Sequence, residues 1–347
     1  MLATIYEVAA RAGVSPATVS RVMNGQRVSA DKAHRVREAA RELRFVPNRT
    51  ARRLRRQTSE LIALLIPDIE NPFFTALARG VEDRAQQAGF SVVLCNTDDD
   101  PTKETRYLDI ANSEDMAGVI LAPAAVDGDI SHAIVHGRPV VAVDRHTGFD
   151  IDSVMIDNHA AGLAATNALF EAGFRRVACI AGPQAIASTE ERRLGWQAAL
   201  ERRGLAEQVA ALGRHGDFRV DGGRAAMLDL LRSAEPPDAV VTTNNLTGVG
   251  AIQVLIEAGR VPPAVGVAVI GELAFSTLPR DAIVEVRLPA RHLGVTAATM
   301  LLERIGGDTQ PARTVVFRAE VASRGRPGPA RPAARSRRRL TKPISPA

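Results

Sequence analysis

Small polar residues and one arginine recur near the amino terminus at the spacing of a short helix. Hydroxyl groups on such a helix can bond phosphate oxygens, an arginine can fork onto guanine, and an alanine can contact a thymine methyl group. This chemistry predicts a helix that reads double-stranded DNA. The residues expected at base edges are Pro16, Ala17 and Arg21. Those expected nearer the phosphates are Ser15, Thr18 and Ser20.

Three short helices are predicted around this segment. Thr4 and Glu7 have the spacing of a capping box, which satisfies free backbone donors at a helix start. Ser15 can cap the second helix, and Ser29 can begin the third. Residues 1–47 are therefore predicted to form a helix-turn-helix head that binds DNA. The alternative for this segment alone is a helical cap or a protein-docking bundle.

Residues 48–60 are predicted to form a hinge helix and linker rich in arginine. An isolated helix this short is marginal in water, so we expect it to order only when two copies pack on DNA. The residues expected to contact DNA here are Asn48, Arg49, Ala51, Leu54 and Arg55.

Formal charge is segregated along the chain. Residues 1–60 hold 13 Lys and Arg against 5 Asp and Glu, whereas residues 324–347 hold 8 Lys and Arg and no acid. The whole chain carries +5, so residues 61–323 carry −11. A basic head on an acidic body favours phosphate contact through the head and repels the body from DNA. The tail, 324–347, combines proline with arginine and is predicted to be basic and disordered.

Apolar strands alternate with amphipathic helices through residues 61–323. The runs predicted as strands are LIALLI, SVVLC, AGVIL, PVVAV, SVMI, RVACIA, DAVVTT, GVAVI and TVVF. This alternation predicts an α/β fold with parallel sheets, and the number of strands predicts two doubly wound lobes. Ligands of such sheets bind outside the carboxyl ends of the strands. We therefore expect a ligand cleft formed by the loops that follow the strands.

Aromatic and polar side chains follow several of these predicted strands. Phe73 and Phe74 come after LIALLI, and Asp144 comes directly after PVVAV. Ser188 and Arg192 come after RVACIA. A guanidinium offers a rigid fork of donors, and aromatic walls exclude water around it. Each residue also has a plainer interpretation, as core for the phenylalanines or as solvated surface for the arginine.

Four motifs, SPATVSRVMN, FVPNRTARRLR, IPDIENPFF and CNTDDDP, resemble in sequence and order those of the LacI/GalR family of bacterial transcription regulators. The resemblance extends from residue 4 to about residue 323. It implies a periplasmic-binding-protein-like body of two lobes that bind an effector and dimerise. The first lobe would take about 61–160 with 290–320, and the second about 161–289.

The resemblance also assigns roles to individual residues. It implies that Arg192 clamps a small-molecule effector, that Phe218 covers it and that Asn244 hydrogen-bonds it. It gives Leu54 the role of an apolar wedge in the minor groove, where such wedges kink the duplex. Trp196 lies one helical turn after Arg192, so we expect its fluorescence to respond to the effector.

The sequence departs from the family pattern where hydrogen-bond acceptors are usual. The common GFDD or GYDD is GELA at residues 271–274, Leu288 replaces a glutamine, and Asn245 replaces an aspartate. Sugar hydroxyls need acceptors as well as donors, so these changes argue against a typical neutral sugar. A carbohydrate derivative is favoured, while an anionic or more apolar effector and a cleft that binds nothing stay open.

The predicted function is that of a sequence-specific transcription regulator, most simply a repressor, whose operator affinity is controlled by a small molecule. Two-fold DNA suits a two-fold protein, so we expect a homodimer on a pseudo-palindromic operator. The alternative is a soluble sugar-binding protein that transports or buffers its ligand without regulating transcription.

Other function classes find little support in the sequence. No nucleophile–base pair, metal cluster or phosphate loop stands out, so we expect no enzyme activity, no metal and no cofactor. No signal region or membrane span is recognisable, so we expect a cytoplasmic protein. Cys95 and Cys179 lie at predicted strand ends and are expected to be reduced packing residues.

Overall fold

The computed structural model of the chain describes residues 3–23, 26–45, 59–124, 130–131, 137–260, 262, 264–273 and 283–322. The chain divides into two compact units, Met1–Ser59 and Glu60–Ala347. The predicted hinge contacts, Asn48, Arg49, Ala51, Leu54 and Arg55, and the 324–347 tail lie outside the described residues.

In its described residues, the first unit contains three helices around a small apolar core. The helices are α1 (Ile5–Ala12), α2 (Pro16–Met23) and α3 (Ala30–Glu42). Val8, Val19 and Val36, one from each helix, are fully buried against each other. The head therefore has one shared core to which every helix contributes, as the helical spacing of its apolar residues predicts.

Local capping bonds define where these helices begin. The backbone N–H of Thr4 donates to Glu7 Oε2 at 2.6 Å, and the N–H of Glu7 donates to Thr4 Oγ1 at 3.4 Å, so the predicted capping box is present. Ser15 Oγ accepts from the N–H of Thr18 at 3.3 Å, as expected for a cap of α2. Ser29 precedes α3 as predicted but makes no capping bond with its side chain.

The second unit contains two six-stranded sheets. The first sheet comprises β1 (Leu61–Ile66), β2 (Ser91–Asn96), β3 (Gly118–Leu121), β4 (Val140–Val143), β5 (Asp152–Ile156) and β11 (Thr314–Phe317). The second sheet comprises β6 (Val177–Ala181), β7 (Gly213–His215), β8 (Ala239–Thr242), β9 (Gly266–Ile270), β10 (Val284–Arg287) and β12 (Glu320–Ala322).

Strand order in both sheets is that of doubly wound α/β proteins. The orders are β11-β5-β4-β3-β1-β2 and β12-β10-β9-β8-β6-β7. All pairs are parallel except β10 with β12, which is antiparallel. The predicted fold class is therefore correct. β7, β10 and β12 were not predicted, because these strands of three or four residues carry charged side chains and lack an apolar run.

Helices of eight or more residues separate most of these strands. They are α4 (Pro72–Gln87), α5 (Pro101–Ser113), α6 (Asn158–Glu171), α7 (Ala187–Glu201), α9 (Val220–Arg232), α10 (Asn245–Glu257) and α11 (Ala290–Ile305). A 3₁₀ turn (Ala206–Gln208) and the short helix α8 (Val209–Leu212) precede β7. Among the described residues, no helix is long and apolar enough to cross a lipid bilayer.

The chain passes three times between the two sheets. The passages are residue 157, residues 288–289 and residues 318–319. They lie side by side, because Phe317 pairs with Ile156 at the end of the first sheet and Glu320 pairs with Arg287 in the second. We call the resulting halves the first lobe (61–156 with 290–317) and the second lobe (158–287 with 320–322).

The two cysteines are buried, one in each lobe. Cys95 is 6% exposed and Cys179 is fully buried. Burial raises the pKa of the Cys179 thiol to about 12, so the reactive thiolate is disfavoured. The structure thus agrees with the expectation that these residues serve packing.

Reciprocal glycines let helices cross at close range. Gly162 of α6 lies against the backbone of Arg192 in α7, and Gly195 of α7 lies against the backbone of His159 in α6. A Cβ atom at either glycine would overlap a carbonyl oxygen of the partner helix. Similar pairs join α4 to α11 and α9 to α10. The helices that border the ligand cleft are therefore held at backbone contact distance.

We predict that Gly195→Ala destabilises the second lobe by forcing α6 and α7 apart. Overpacking of this kind costs on the order of 1–3 kcal/mol. Chemical denaturation monitored by circular dichroism measures the change. Gly306→Ala is the control, because Gly306 has φ −73 and its new methyl group meets nothing closer than 3.3 Å. Equal stability of the two variants would show that the α6–α7 crossing tolerates a methyl group.

Candidate functional site

A cavity lies between the two lobes, where the carboxyl ends of the strands of both sheets meet. Its empty volume is about 690 Å³, including space open to solvent. All seven residues predicted for the effector line it, although they come from helices and loops far apart in sequence. They are Phe73, Phe74, Asp144, Ser188, Arg192, Phe218 and Asn244. We call this space the main cavity.

Arg192 is anchored at the base of the main cavity. Its Nε donates to Asn158 Oδ1 at 2.8 Å, and its Nη1 donates to the Thr243 carbonyl at 2.7 Å. Only 6% of the residue is exposed, and this burial lowers the pKa of the guanidinium, while the nearby Asp144 opposes that effect. Two of its five N–H donors are thus committed, and the others have no partner among the described residues.

Asp144 presents a buried acceptor to the cavity. It follows β4 with φ +64, a left-handed conformation that aspartate tolerates better than most residues. It is 6% exposed, and its Oδ1 has no hydrogen-bond partner within the described part of the chain. An unsatisfied buried carboxylate oxygen is costly and calls for a donor from a ligand or water.

The neighbouring Arg145 presents a buried donor. Its Nη1 donates to Asp99 Oδ1 at 2.5 Å and to the Pro123 carbonyl at 3.0 Å. Its Nε lies 3.8 Å from Asp144 Oδ2 and, like Asp144 Oδ1, has no hydrogen-bond partner in the described ranges. A buried acceptor and a buried donor therefore lie on adjacent residues of one cavity wall.

Asn244 uses its Oδ1 and one N–H of its Nδ2 within the protein, so the effector bond that the resemblance implies stays a prediction for its second N–H. Its Oδ1 accepts from the N–H and the hydroxyl of Thr247 at 2.9 and 2.6 Å, and so caps α10. Its Nδ2 donates to the carbonyl of Phe218 at 2.8 Å. The side chain lines the cavity but fixes the start of α10 and the loop that carries Phe218.

Aromatic rings form the apolar walls. The rings of Phe73 and Phe74 meet edge to face with centroids 5.0 Å apart. Phe74 also belongs to the core of the first lobe. It therefore serves both as a core residue and as a wall of the cavity. Phe218 has φ +66, and its ring covers Gly182 so closely that no side chain fits there.

Acidic residues are more numerous at the cavity than the sequence indicated. Asp68, Asp98, Asp99 and Asp217 line it in addition to Asp144. Each lies in a loop after a strand, and the CNTDDDP motif pointed to two of them. Asp217 follows β7, a strand that was not predicted. The cavity therefore has acceptors at positions other than those where the sequence departs from the family pattern.

Leu273 and Leu288 stand where the family usually has polar residues, and they have different surroundings. Leu273 packs against the core of the second lobe and does not line the main cavity. Leu288 lines the cavity and packs against the cores of both lobes. Leu288, in place of the usual glutamine, therefore adds an apolar contact between the lobes and an apolar wall to the cavity.

Trp196 does not line the cavity. Its indole is fully buried in the core of the second lobe, and its Nε1 donates to the Val177 carbonyl at 2.9 Å. A direct fluorescence response to a ligand at Arg192, as the sequence suggested, is therefore not expected. The indole instead reports the integrity of the core beneath α7.

In the first unit, the residues predicted to contact DNA divide by exposure. Ser15, Ala17 and Arg21 are exposed, while Pro16, Thr18 and Ser20 are half-buried. Val19 and Val22 form the buried face of the same helix. The opposite face of α2 is thus free of the core and carries Ala17 and Arg21.

Comparison with known proteins identifies the family. Residues 4–48 match "Bacterial regulatory proteins, lacI family", and residues 59–322 match "Periplasmic binding proteins and sugar binding domain of LacI family". The ribose operon repressor of Halalkalibacterium halodurans is 33% identical over 306 residues, which are 88% of this chain and 91% of that protein. The chain therefore belongs to the LacI family and is a DNA-binding transcription regulator.

Solved structures agree with this assignment. The structure of a transcriptional regulator CelR–cellobiose complex is 31% identical, with a TM-score of 0.70 over 93% of this chain and 99% of that chain. The Lac repressor dimer bound to operator and an anti-inducer is 24% identical, with a TM-score of 0.81 over 94% of this chain and 100% of that chain. The latter likeness supports the fold alone.

We predict that Glu104→Gln stabilises the protein at neutral pH. Glu104, in the first turn of α5, is 3% exposed, and its Oε2 accepts from the N–H of Ala124 at 2.8 Å. Burial raises the pKa of Glu104 above its ordinary 4.5. The native protein therefore loses stability as the pH rises from 4.5 through the raised pKa, because the buried group must ionise.

Melting temperatures of both proteins between pH 4 and pH 8 test this prediction. Glutamine keeps an acceptor for Ala124 but does not ionise, so its advantage should grow with pH and vanish near pH 4. Glu114→Gln is the control, because Glu114 is exposed at the carboxyl end of the same helix. A pH-independent difference would mean that ionisation of Glu104 is not the cause.

Proposed function

We propose that this chain is a non-enzymatic transcriptional repressor that acts in the cytoplasm as a homodimer on a pseudo-palindromic operator. A neutral carbohydrate in the main cavity controls its affinity for that operator. The observation that carries the choice of ligand is that the buried atoms Asp144 Oδ1 and Arg145 Nε make no hydrogen bond with the residues that the structure describes.

The chemistry of these two atoms selects the ligand. Asp144 Oδ1 requires a donor and Arg145 Nε requires an acceptor, and a hydroxyl group is both. A carboxylate or phosphate could accept from Arg145 but would be repelled by Asp144 and the other aspartates. An ammonium group could donate to Asp144 but not accept. A ligand with several hydroxyl groups serves both atoms.

The remaining walls suit the same class of ligand. Ser188 is buried, and its hydroxyl has no partner among the described residues. Arg192 offers uncommitted donors, and Phe73 and Phe218 offer flat apolar surfaces. A sugar ring combines hydroxyl edges with C–H faces, so it can use both kinds of wall. The name of the H. halodurans relative and the cellobiose of the CelR complex support a sugar.

DNA reading is proposed for the exposed face of α2. Arg21 can fork onto a guanine edge, and Ala17 can contact a thymine methyl group, with Ser15, Thr18 and Ser20 near phosphates. Pro16 is proposed at a base edge. The hinge residues named above are proposed to add minor-groove contacts on DNA.

Replacing Arg21 should separate specific from non-specific DNA binding. Arg21→Ala should weaken binding to the operator by about 1–3 kcal/mol, with a much smaller effect on random DNA. Fluorescence anisotropy with both duplexes at one salt concentration measures this. Arg37→Ala removes an exposed arginine from α3 and should not change the ratio of the two affinities. Equal losses for Arg21→Ala would exclude base reading by this residue.

Ligand selection can be tested at Asp144. Neutral sugars should raise the melting temperature of the protein and change its operator affinity, and sugar acids and sugar phosphates should do so less. Asp144→Asn keeps a residue that tolerates φ +64 but removes the carboxylate, so it should abolish the response. Asp150→Asn, in the same loop but exposed, is the control.

The outcomes distinguish the candidate functions. A sugar acid that binds more tightly than its neutral parent would overturn the choice of ligand. A sugar that binds without changing operator affinity would favour the alternative, a soluble sugar-binding protein without a regulatory role.

A further inference from the structure

A second cavity adjoins the main cavity on the side of the 288–289 passage between the lobes. Its empty volume is about 770 Å³, including space open to solvent. Phe73, Asn245, Gly271 and Leu288 line both cavities, so the two spaces share a wall. The second space, which we call the hinge-side cavity, also reaches Ala76 of α4, and this residue does not line the main cavity.

Gly271 and Asn245 lie next to each other in the shared wall. Gly271 has φ +121 and no side chain, and its N–H is committed to the Val286 carbonyl at 2.8 Å. Asn245 is 4% exposed, and its Oδ1 accepts from the N–H of Leu246 at 2.9 Å. Its Nδ2 has no partner in the described part of the chain. A free amide donor thus lies in the wall that the two cavities share.

The hinge-side cavity has the mixed chemistry of a sugar subsite. Phe73, Ala76 and Leu288 give it an apolar side, and Glu272 and His292 give it a polar edge. Glu272 and His292 make no hydrogen bond or ion pair with the described residues. Apolar faces with polar groups at one edge match a second sugar ring, whose C–H face and hydroxyl edge differ in the same way.

We propose that the effector is a two-ring carbohydrate, with one ring in the main cavity and the second in the hinge-side cavity against Phe73 and Leu288. This inference rests on the proposed function, because the first ring occupies the site defined by Asp144 and Arg145. Leu288 packs on the cores of both lobes, so the second ring would contact the passage that joins them.

Matched mono- and disaccharides test the proposal by isothermal titration. The probes are glucose with cellobiose and maltose, and galactose with lactose. In the full-length protein, one disaccharide should bind at least about tenfold more tightly than its monosaccharide, because it buries a second apolar face. Ala76→Leu fills the hinge-side cavity and should remove this advantage while leaving monosaccharide affinity unchanged. Thr75→Leu, an exposed neighbour on α4, should preserve it.

The results separate the two proposals. If a monosaccharide binds and its disaccharide binds no more tightly, the two-ring inference is overturned and the proposed function stands. The same holds if Ala76→Leu, with a native melting temperature, keeps the disaccharide advantage. If no sugar of either kind binds, or if Asp144→Asn binds sugar as the native protein does, the proposed function fails as well.

Discussion

The arrangement of the second lobe depends on the buried guanidinium of Arg192, which must be surrounded by acceptors. A buried cation is costly unless acceptors surround it. Asn158 and the Thr243 carbonyl supply two of them from different elements, and Asp144 of the first lobe adds negative charge nearby. α6 and α7 must then cross closely enough for Asn158 to reach Arg192, and the glycine pair of this crossing makes that approach sterically allowed.

The same geometry explains why a cavity with arginines also contains so many aspartates. In parallel βα units the helices begin at the edge where the strands end, so several helix starts face the main cavity. Helix starts carry partial positive charge and unsatisfied N–H groups. Asn71 and Asn244 satisfy some of these groups by capping α4 and α10. The aspartates offset the remaining positive charge, which leaves a site with both donors and acceptors and without a strong net preference for an anion.

Much of this arrangement was predictable. Apolar runs located nine of the twelve strands that the structure describes. The rule that ligands bind at strand ends, with the family resemblance, pointed to seven residues that do line one cavity. What failed were inferences that depend on distances in space. Nothing local shows that Asn244 donates to the Phe218 carbonyl, or that Trp196 points into the core. Short strands such as β7 carry too few apolar residues to be recognised, and Asp217 was missed with it.

The three adjacent passages between the lobes have a mechanical consequence. A single connecting segment would let two rigid bodies bend, twist and slide relative to each other. Three adjacent connections oppose twisting and sliding, so bending is expected to be the softest motion. β12 matters here out of proportion to its three residues, because its pairing with β10 adds the third connection. We therefore expect the two lobes to open and close mainly about one axis. The effect of a ligand between the lobes can then be expressed as one angle, the angle between the two lobes. A signal from the cavity to the rest of the protein would be a change in that angle.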